Sequence, residues 1–393
     1  VMHDSGAHRS SHSLSKMKIL HGPFNIGNQP WSLSRAERRR GNKSDLVVRS
    51  GTWFRYPADK VLYDDTATDF QKVARSAWFG LSALLRYDVL HYYFGTTFLY
   101  PGYAFEGVGR MGPLLNRLVT IDLQLAKGLG KKRFMTLQGC DARLAGEGNR
   151  RNGWTMCASG RCSAYEACVT SLDARRSRLI DRVLPLFDRV FYLNPELGHV
   201  VPGGQFLPYA NVEISHFSPE YPRAEGKPRI VHAPSDASIK GTQMILDALE
   251  RLKSRFDFEL ILVEKKTHEE AMAIYRSADL AIDQVLAGWY GGFAVEMMAM
   301  GKPVVCYVRE NDLQFVPPAM RDDLAILNVD PGRLTEDLAA ILERRAEWTE
   351  LGKRARRYVE RWHDPDHIAG AMIAAYRSPD SKFVLAPAGA AVE

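Results

Sequence analysis

The segment GWYGGFAVEMMAMGKPVV, Gly288 to Val305, passes from a glycine turn to a helix to a strand in quick succession. Gly291 and Gly292 let the backbone approach a ligand closely at the end of the preceding strand. A helix then runs through Phe293 to Met300. Its amino end, from Gly292 through Phe293 and Ala294, offers unpaired N–H groups and the positive end of a dipole to an anion. Glu296 lies in the first turn, on the same side. Gly301 and Pro303 stop the helix and start the next strand. The plainer alternative is a helix-to-strand connection with a surface glutamate.

The same alternation extends outward from this segment. Upstream, Arg229–Ala233, Phe258–Val263 and Asp279–Asp283 are short apolar runs that read as strands. Thr242–Leu252 and His268–Ser277 between them have helical spacing. Downstream come the strand Pro303–Val308 and a broken helical stretch, Leu334–Tyr358. The amino half has this rhythm with longer interruptions. Strands are expected at Lys18–Leu20, Asp45–Val48, Asp88–His91, Arg133–Leu137 and Arg189–Leu193, and helices at Ser34–Arg40 and Leu172–Phe187. Strands alternating with helices imply parallel sheets with helical crossovers. Prolines and glycines collect at 206–226, which reads as a linker. The expected fold is α/β, with two doubly wound, Rossmann-like domains at 17–205 and 227–365. Ligands of such sheets bind at the carboxyl ends of the strands, so the crevice between the domains is the expected site. Residues 1–16 read as an unstructured leader. Residues 366–377 form a last helix that could pack back on the amino-terminal domain, and the Ala/Pro-rich 378–393 reads as a flexible tail.

Composition limits the partners. The chain has 393 residues, 46% hydrophobic and 25% charged, with a formal charge of +6. These values exclude a disordered chain, a collagen-like fibre and a disulfide-stapled miniprotein, and no run reaches membrane-spanning length. The charge favours anionic ligands weakly. The first residues have no apolar signal core, and five unevenly placed cysteines make no secreted framework, so a cytoplasmic setting is expected. The basic stretches 35–40 (RAERRR) and 352–357 (GKRARR) read as solvated faces, or as peripheral contacts with an anionic bilayer on its cytoplasmic side. No nucleic-acid module accompanies them. Cys140, Cys157, Cys162 and Cys168 are a weak zinc candidate. Four thiolates suffice for a tetrahedral site, but the spacing lacks the usual close pairs, and free thiols are the favoured reading.

Phe293 to Val305 resembles the signature of GT-B glycosyltransferases, specifically the family 4-like group. Asp283 to Glu296 further matches a subgroup string, D-Q-x-x-x-G-W-Y-G-x-F-A-V-E. By this resemblance Glu296 contacts the donor's nucleotide ribose, and the N–H groups around Gly292 and Phe293 face the transferred sugar. His232 to Thr242, HAPSDASIKGT, follows a strand and precedes a helix. It is similar to the family's phosphate segment, which assigns Lys240 and Gly241 to the donor diphosphate. Tyr275 to Gln284, YRSADLAIDQ, resembles the run before the glutamate segment. It puts Asp283 and Gln284 at a strand's carboxyl end, facing the nucleotide, whereas Asp279 reads as structural.

The amino half is similar in outline. His21 to Gln29, HGPFNIGNQ, resembles the family's first glycine loop, near donor phosphate and acceptor, so Gly22, Gly27 and Asn25 are candidates. Asp88 to Phe94, DVLHYYF, resembles a strand end whose His91 faces the acceptor side, with a satisfied core histidine as the alternative. Phe134 to Arg143, FMTLQGCDAR, resembles a sugar-contacting segment. Gln138 replaces its histidine there, Asp141 is kept, and Arg143 follows. Gln can hydrogen-bond a hydroxyl but cannot carry a proton in this role. Two further departures are Ser235 at the family's phosphate arginine and Gly288 at its first glutamate.

The resemblance implies a retaining, metal-independent transfer from a nucleotide diphosphate sugar to a saccharide, lipid-linked or small-molecule acceptor hydroxyl, with no cofactor. Polysaccharide or glycosylated natural-product synthesis would be the setting. The departures keep open a pseudo-glycosyltransferase, a sugar-nucleotide hydrolase, or a silent partner protein on the same fold.

Overall fold

Buried parallel strands need apolar side chains on both faces, and the short apolar runs of this chain pair accordingly. The computed structural model describes residues 15–51, 56–102 and 118–389. Most of the expected leader and the last four residues lie outside them. The first sheet is built from β1 (Lys18–Gly22), β2 (Lys43–Val48), β3 (Lys60–Val61), β4 (Val89–Tyr93), β5 (Lys132–Leu137), β6 (Arg189–Tyr192) and β7 (Gln205–Phe206). Their spatial order is β3-β2-β1-β4-β5-β6-β7. The second sheet has β8 (Arg229–His232), β9 (Glu259–Leu262), β10 (Leu280–Ile282), β11 (Val304–Cys306) and β12 (Ile326–Asn328), in the order β12-β11-β10-β8-β9. Every recorded pairing is parallel. Each order reverses once, between β1 and β4 and between β8 and β10, which makes two switch points.

The helices that matter below are α1 (Gln29–Arg39), α2 (Asp69–Arg86), α3 (Ile121–Gly128), α4 (Ala237–Lys240), α5 (Thr242–Leu252), α6 (His268–Ser277), α7 (Gly292–Ala299), α8 (Leu334–Glu343), α9 (Trp348–Trp362) and α10 (Pro365–Arg377). The expected helix over Leu172–Phe187 lies within one continuous helical run from Tyr165 to Leu186. Wide turns at Cys168–Leu172 and Leu179–Val183 flank a regular segment, Asp173–Arg178. Asp364 caps α10 by accepting from the Asp366 N–H, and Pro365 opens the helix. The chain thereby turns from α9 onto the amino-terminal domain, where α10 packs on α1. Tyr376 of α10 there bonds His91 across 2.7 Å.

The tail expected to be flexible is held as far as Ala388, whose N–H donates to the Arg361 carbonyl at 2.9 Å. Phe383 meets Phe191 edge-on, Leu385 is buried, and Arg189 is bonded to the Pro379 and Ser381 carbonyls. Two apolar side chains, with bonds from Arg189 and His367 to its carbonyls, seat it. The basic stretches are also engaged within the protein. Arg35 pairs with Asp59, Arg38 with Asp45 and Asp59, and Arg39 with Glu213 and Asp366. Lys353 pairs with Glu350 and Arg356 with Glu360. Among the described residues no helix is long and apolar enough to cross a membrane.

Candidate functional site

The β8/β10 switch point carries the main charges. Asp236 caps the single turn α4, and Gly241, at φ +75°, turns the chain from α4 into α5. A Cβ at Gly241 would lie 2.6 Å from Val285, so the glycine is needed for both conformation and room. This turn aims Lys240 across the switch point at Asp283, at the end of β10, and the two form a buried ion pair. Asp283 also accepts the Gly291 N–H at 2.6 Å. One carboxylate therefore holds the lysine and the approach to α7 together. Gln284 donates to the Trp289 carbonyl at 2.5 Å, which fixes the loop between them. Ser235 is exposed in the turn after β8.

Helix α7 starts at Gly292, one residue before the expected Phe293, so Phe293 and Ala294 are in its first turn and Glu296 falls just past it. The Lys240 ammonium lies 5.7 Å from the centre of the Phe293 ring. Burial pushes the Glu296 carboxyl up to about 8; Lys240 pulls it down and Asp283 raises it further. Glu296 interacts electrostatically with Tyr56 and Tyr275, whose hydroxyls burial holds un-ionised. Tyr56 comes from the amino-terminal domain, so the site spans the two halves.

The facing half is built from amide groups. Asn25 is buried and donates to the Pro57 carbonyl at 2.9 Å. Gln138 donates to the Ile26 carbonyl at 3.4 Å, and Asn211 to the Gly292 carbonyl at 3.3 Å. In each of these three side chains the amide oxygen is buried without a partner. Buried acceptors of this kind are normally satisfied, so each of these oxygens has bonding capacity left. Gly27 has φ +64° and open space around it. Gly22 does not open onto a ligand. A Cβ there would lie 2.4 Å from the Val47 carbonyl oxygen and 2.6 Å from Phe98, so its smallness serves the packing of β1.

His91 is not on the acceptor side. It is fully buried in β4, bonded to the Tyr376 and Thr136 hydroxyls at 2.7 Å each, and burial drives it toward the neutral form. It is a satisfied core histidine, because its strand position points into the layer covered by α10. Asp141 is likewise committed. Its carboxylate accepts the N–H groups of Gln138 and Gly139, the latter at 2.7 Å. It holds the Gln138 turn, and it is a positioning residue. Arg143 pairs with Glu196 and also donates to the Cys140 sulfur at 3.3 Å.

Glu196 continues this network across the cleft. It lies 3.6 Å from Arg309, which pairs with Asp312 at 2.6 Å, and Asp312 in turn meets His199 at 3.0 Å. Arg309 explains the glycine at 288. Gly288 has φ +80°, and a Cβ there would lie 2.5 Å from the Arg309 guanidinium. The space a longer residue would need is filled by a buried, ion-paired arginine. The four clustered cysteines are free thiols, and burial lifts the Cys157 thiol to about 12, which keeps it protonated. Among the described residues no group of three or more His, Cys, Asp or Glu is placed to hold a metal. The structure does not assemble these cysteines into a zinc site.

Sequence reading missed Tyr56, Asn211, Tyr275 and Arg309. Tyr275 sat in a quoted motif but gave no sign of reaching Glu296. Tyr56 and Asn211 lie far from the site in sequence, and Arg309 follows β11 with no local pattern that aims it at Gly288.

No protein-family model matches the sequence. A curated relative, MMP alpha-(1->4)-mannosyltransferase of Mycolicibacterium hassiacum, is 28% identical over 214 residues. The match covers 47% of this chain and 49% of that protein, so it spans about half of the relative's length. Solved structures are similar over nearly the whole chain. Sucrose-phosphate synthase of Thermosynechococcus elongatus has a TM-score of 0.57 at 16% identity, covering 92% of this chain and 98% of that one. The catalytic domain of starch synthase IV from Arabidopsis thaliana, bound to ADP and acarbose, has 0.55 at 11% identity, covering 94% and 100%. Two doubly wound parallel domains with facing carboxyl edges, matched end to end by these structures, give this chain the GT-B fold.

Proposed function

We propose that this protein is a glycosyltransferase that moves a sugar from a nucleotide diphosphate donor to an acceptor hydroxyl, with retention of configuration and without a divalent metal. The observation that carries the reading is Lys240 at the β8/β10 switch point, beside the amino end of α7. A buried cation and a helix amino end, both at the carboxyl edge of a doubly wound sheet, suit a diphosphate. The likeness to the motif of family 4-like enzymes and the half-length match to a mannosyltransferase support the same reading. The latter makes a nucleoside-diphosphate mannose the first donor to test.

In this scheme Lys240 and the N–H groups of Gly292 and Phe293 stabilise charge on the departing diphosphate; the Ala294 N–H is held by the Gly291 carbonyl. Glu296 receives the donor ribose, and the ligand's arrival shifts the electrostatic balance set by Lys240 and Asp283. Gln138, positioned by Asp141, and Asn211 offer amide oxygens to sugar hydroxyls. Asn25 lines the acceptor approach and Gly27 the donor side. The departing phosphate accepts the acceptor's proton, so no side-chain base is required. The Glu196–Arg309 contact links the domains, and its closed form keeps water from the donor.

The test is thermal unfolding with a panel of nucleoside diphosphates and their sugars, with and without EDTA. A ligand at about 100 times its Kd stabilises the fold by about 2.7 kcal/mol. Lys240→Ala should weaken donor affinity about tenfold or more, the loss expected of a charge-assisted bond. No shift with any nucleotide would overturn the reading. Product NMR would report the anomeric configuration.

A further inference from the structure

Helix α2 is apolar on the wrong side. Ser76, Phe79, Gly80, Ala83 and Leu84 are buried against the sheet, as a surface helix requires. Its opposite face should be polar. Instead Phe70, Ala74, Trp78, Leu81 and Leu85 follow one another at three- and four-residue spacing along the exposed side. Phe70 is 82% exposed, Trp78 76% and Leu85 82%, and Val73 adjoins them at 69%. One exposed leucine needs no explanation. A continuous row of large apolar side chains marks an interaction surface. Helix α3 packs beside α2 and adds exposed Leu125, and Leu129 just past its end is exposed too, with Lys127 between them in sequence.

Charge indicates what the surface meets. Along one edge of the row runs a groove lined by Lys60, Arg75, Arg86, Trp78, Phe79 and Leu85. Arg86 is held by neutral partners, donating to the Ser82 carbonyl and hydroxyl, and its guanidinium lies 5.0 Å from the Phe79 ring centre. Lys60 approaches the same ring at 5.7 Å. Three cations beside a strip of tryptophan, phenylalanine and leucine complement an anionic headgroup layer above an apolar interior. Tryptophan suits the boundary between the two. A protein partner would have to supply a matching acidic rim. The bilayer supplies both parts at once.

We propose that this face of α2, with the Lys60–Arg75–Arg86 groove at its edge, docks the protein on an anionic lipid bilayer. The contact lies on the amino-terminal domain and does not depend on the transferase reading. It uses different residues from the basic stretches 35–40 and 352–357, most of whose charges are bonded within the protein.

The experiment is co-sedimentation of the full chain with vesicles of phosphatidylcholine alone, and of phosphatidylcholine mixed with phosphatidylglycerol. The protein should bind the mixed vesicles and not the neutral ones, and binding should weaken with salt. Trp78→Ser with Leu85→Ser should lower the affinity at least about tenfold, with an unchanged melting temperature. Arg75→Gln with Arg86→Gln should weaken it as well, while leaving the apolar row intact. Failure of the wild type to bind either vesicle overturns the proposal. So does equal binding by wild type and both variants. Self-association that the Trp78/Leu85 variant abolishes, without vesicle binding, would overturn it in favour of a second copy of the chain.

Discussion

Glu296 carries the most displaced carboxyl at the site, and its titration should be visible in stability. Its ordinary value of 4.5 rises to about 8 in the fold. Between these limits the folded protein holds a proton that the unfolded chain releases. Stability should therefore fall as pH rises through this window, with a slope of at most about 1.4 kcal/mol per pH unit from this group. Glu296→Gln should flatten the fall, and denaturant melts across the window would show it. An unchanged profile would mean that Glu296 is already ionised in the fold. Gly288 makes a second prediction at this scale. Gly288→Ala adds a Cβ at φ +80° against Arg309 and should cost about 1–3 kcal/mol. A neutral result in the same melts would mean that Arg309 swings away freely. The sequence shows that position 288 departs from the pattern, but not that an arginine from after β11 fills the room.

At the scale of elements, α2 is instructive because it was not legible. Its apolar residues recur on both faces, so no single stripe announced a helix between Thr68 and Arg86. Its start does follow local rules. Thr68 and Gln71 form a capping box, with the threonine hydroxyl accepting the Gln71 N–H. Thr68→Ala should destabilise the helix start by about 1 kcal/mol. Hydrogen exchange should show faster opening of the first turn of α2 and unchanged protection in β4. Equal exchange in both proteins would show that packing of Phe79 and Ala83 alone holds the helix. The contrasting case is α5, where amphipathic spacing over Thr242–Leu252 gave both boundaries. Strands β3 and β7 have two residues each, too few to show a period, and exist only because β2 and β6 present edges for them.

For the whole molecule the informative contact is Glu196. It bonds Arg143 on its own domain and approaches Arg309 on the other, and both arginines are buried. Glu196→Gln leaves the two cations with one fewer carboxylate and should cost about 3 kcal/mol. Guanidinium melts would measure it. The cost should be accompanied by a looser cleft, seen as faster proteolysis near residues 206–226. A variant as stable as the wild type would show that Asp312 alone balances Arg309.

What the sequence by itself determined is the fold and the placing of Lys240, Asp283 and the start of α7 at one carboxyl edge. Both are encoded locally: apolar runs alternate with amphipathic ones, and glycines, a lysine and a glutamate stand at fixed distances from strand ends. Such features need only a few neighbouring residues to act. Only the tertiary structure decided which polar residues were committed elsewhere. In the sequence His91 could face the acceptor or fill the core, Asp141 could contact the sugar or simply pair, and the arginines of 35–40 read as a solvated face or a bilayer contact; their partners are Tyr376, the Gln138 backbone, Asp59 and Asp366. Some of those bonds span a few residues and others nearly the whole chain. Pairing of buried polar groups depends on what folding brings opposite them, which spacing along the chain does not encode.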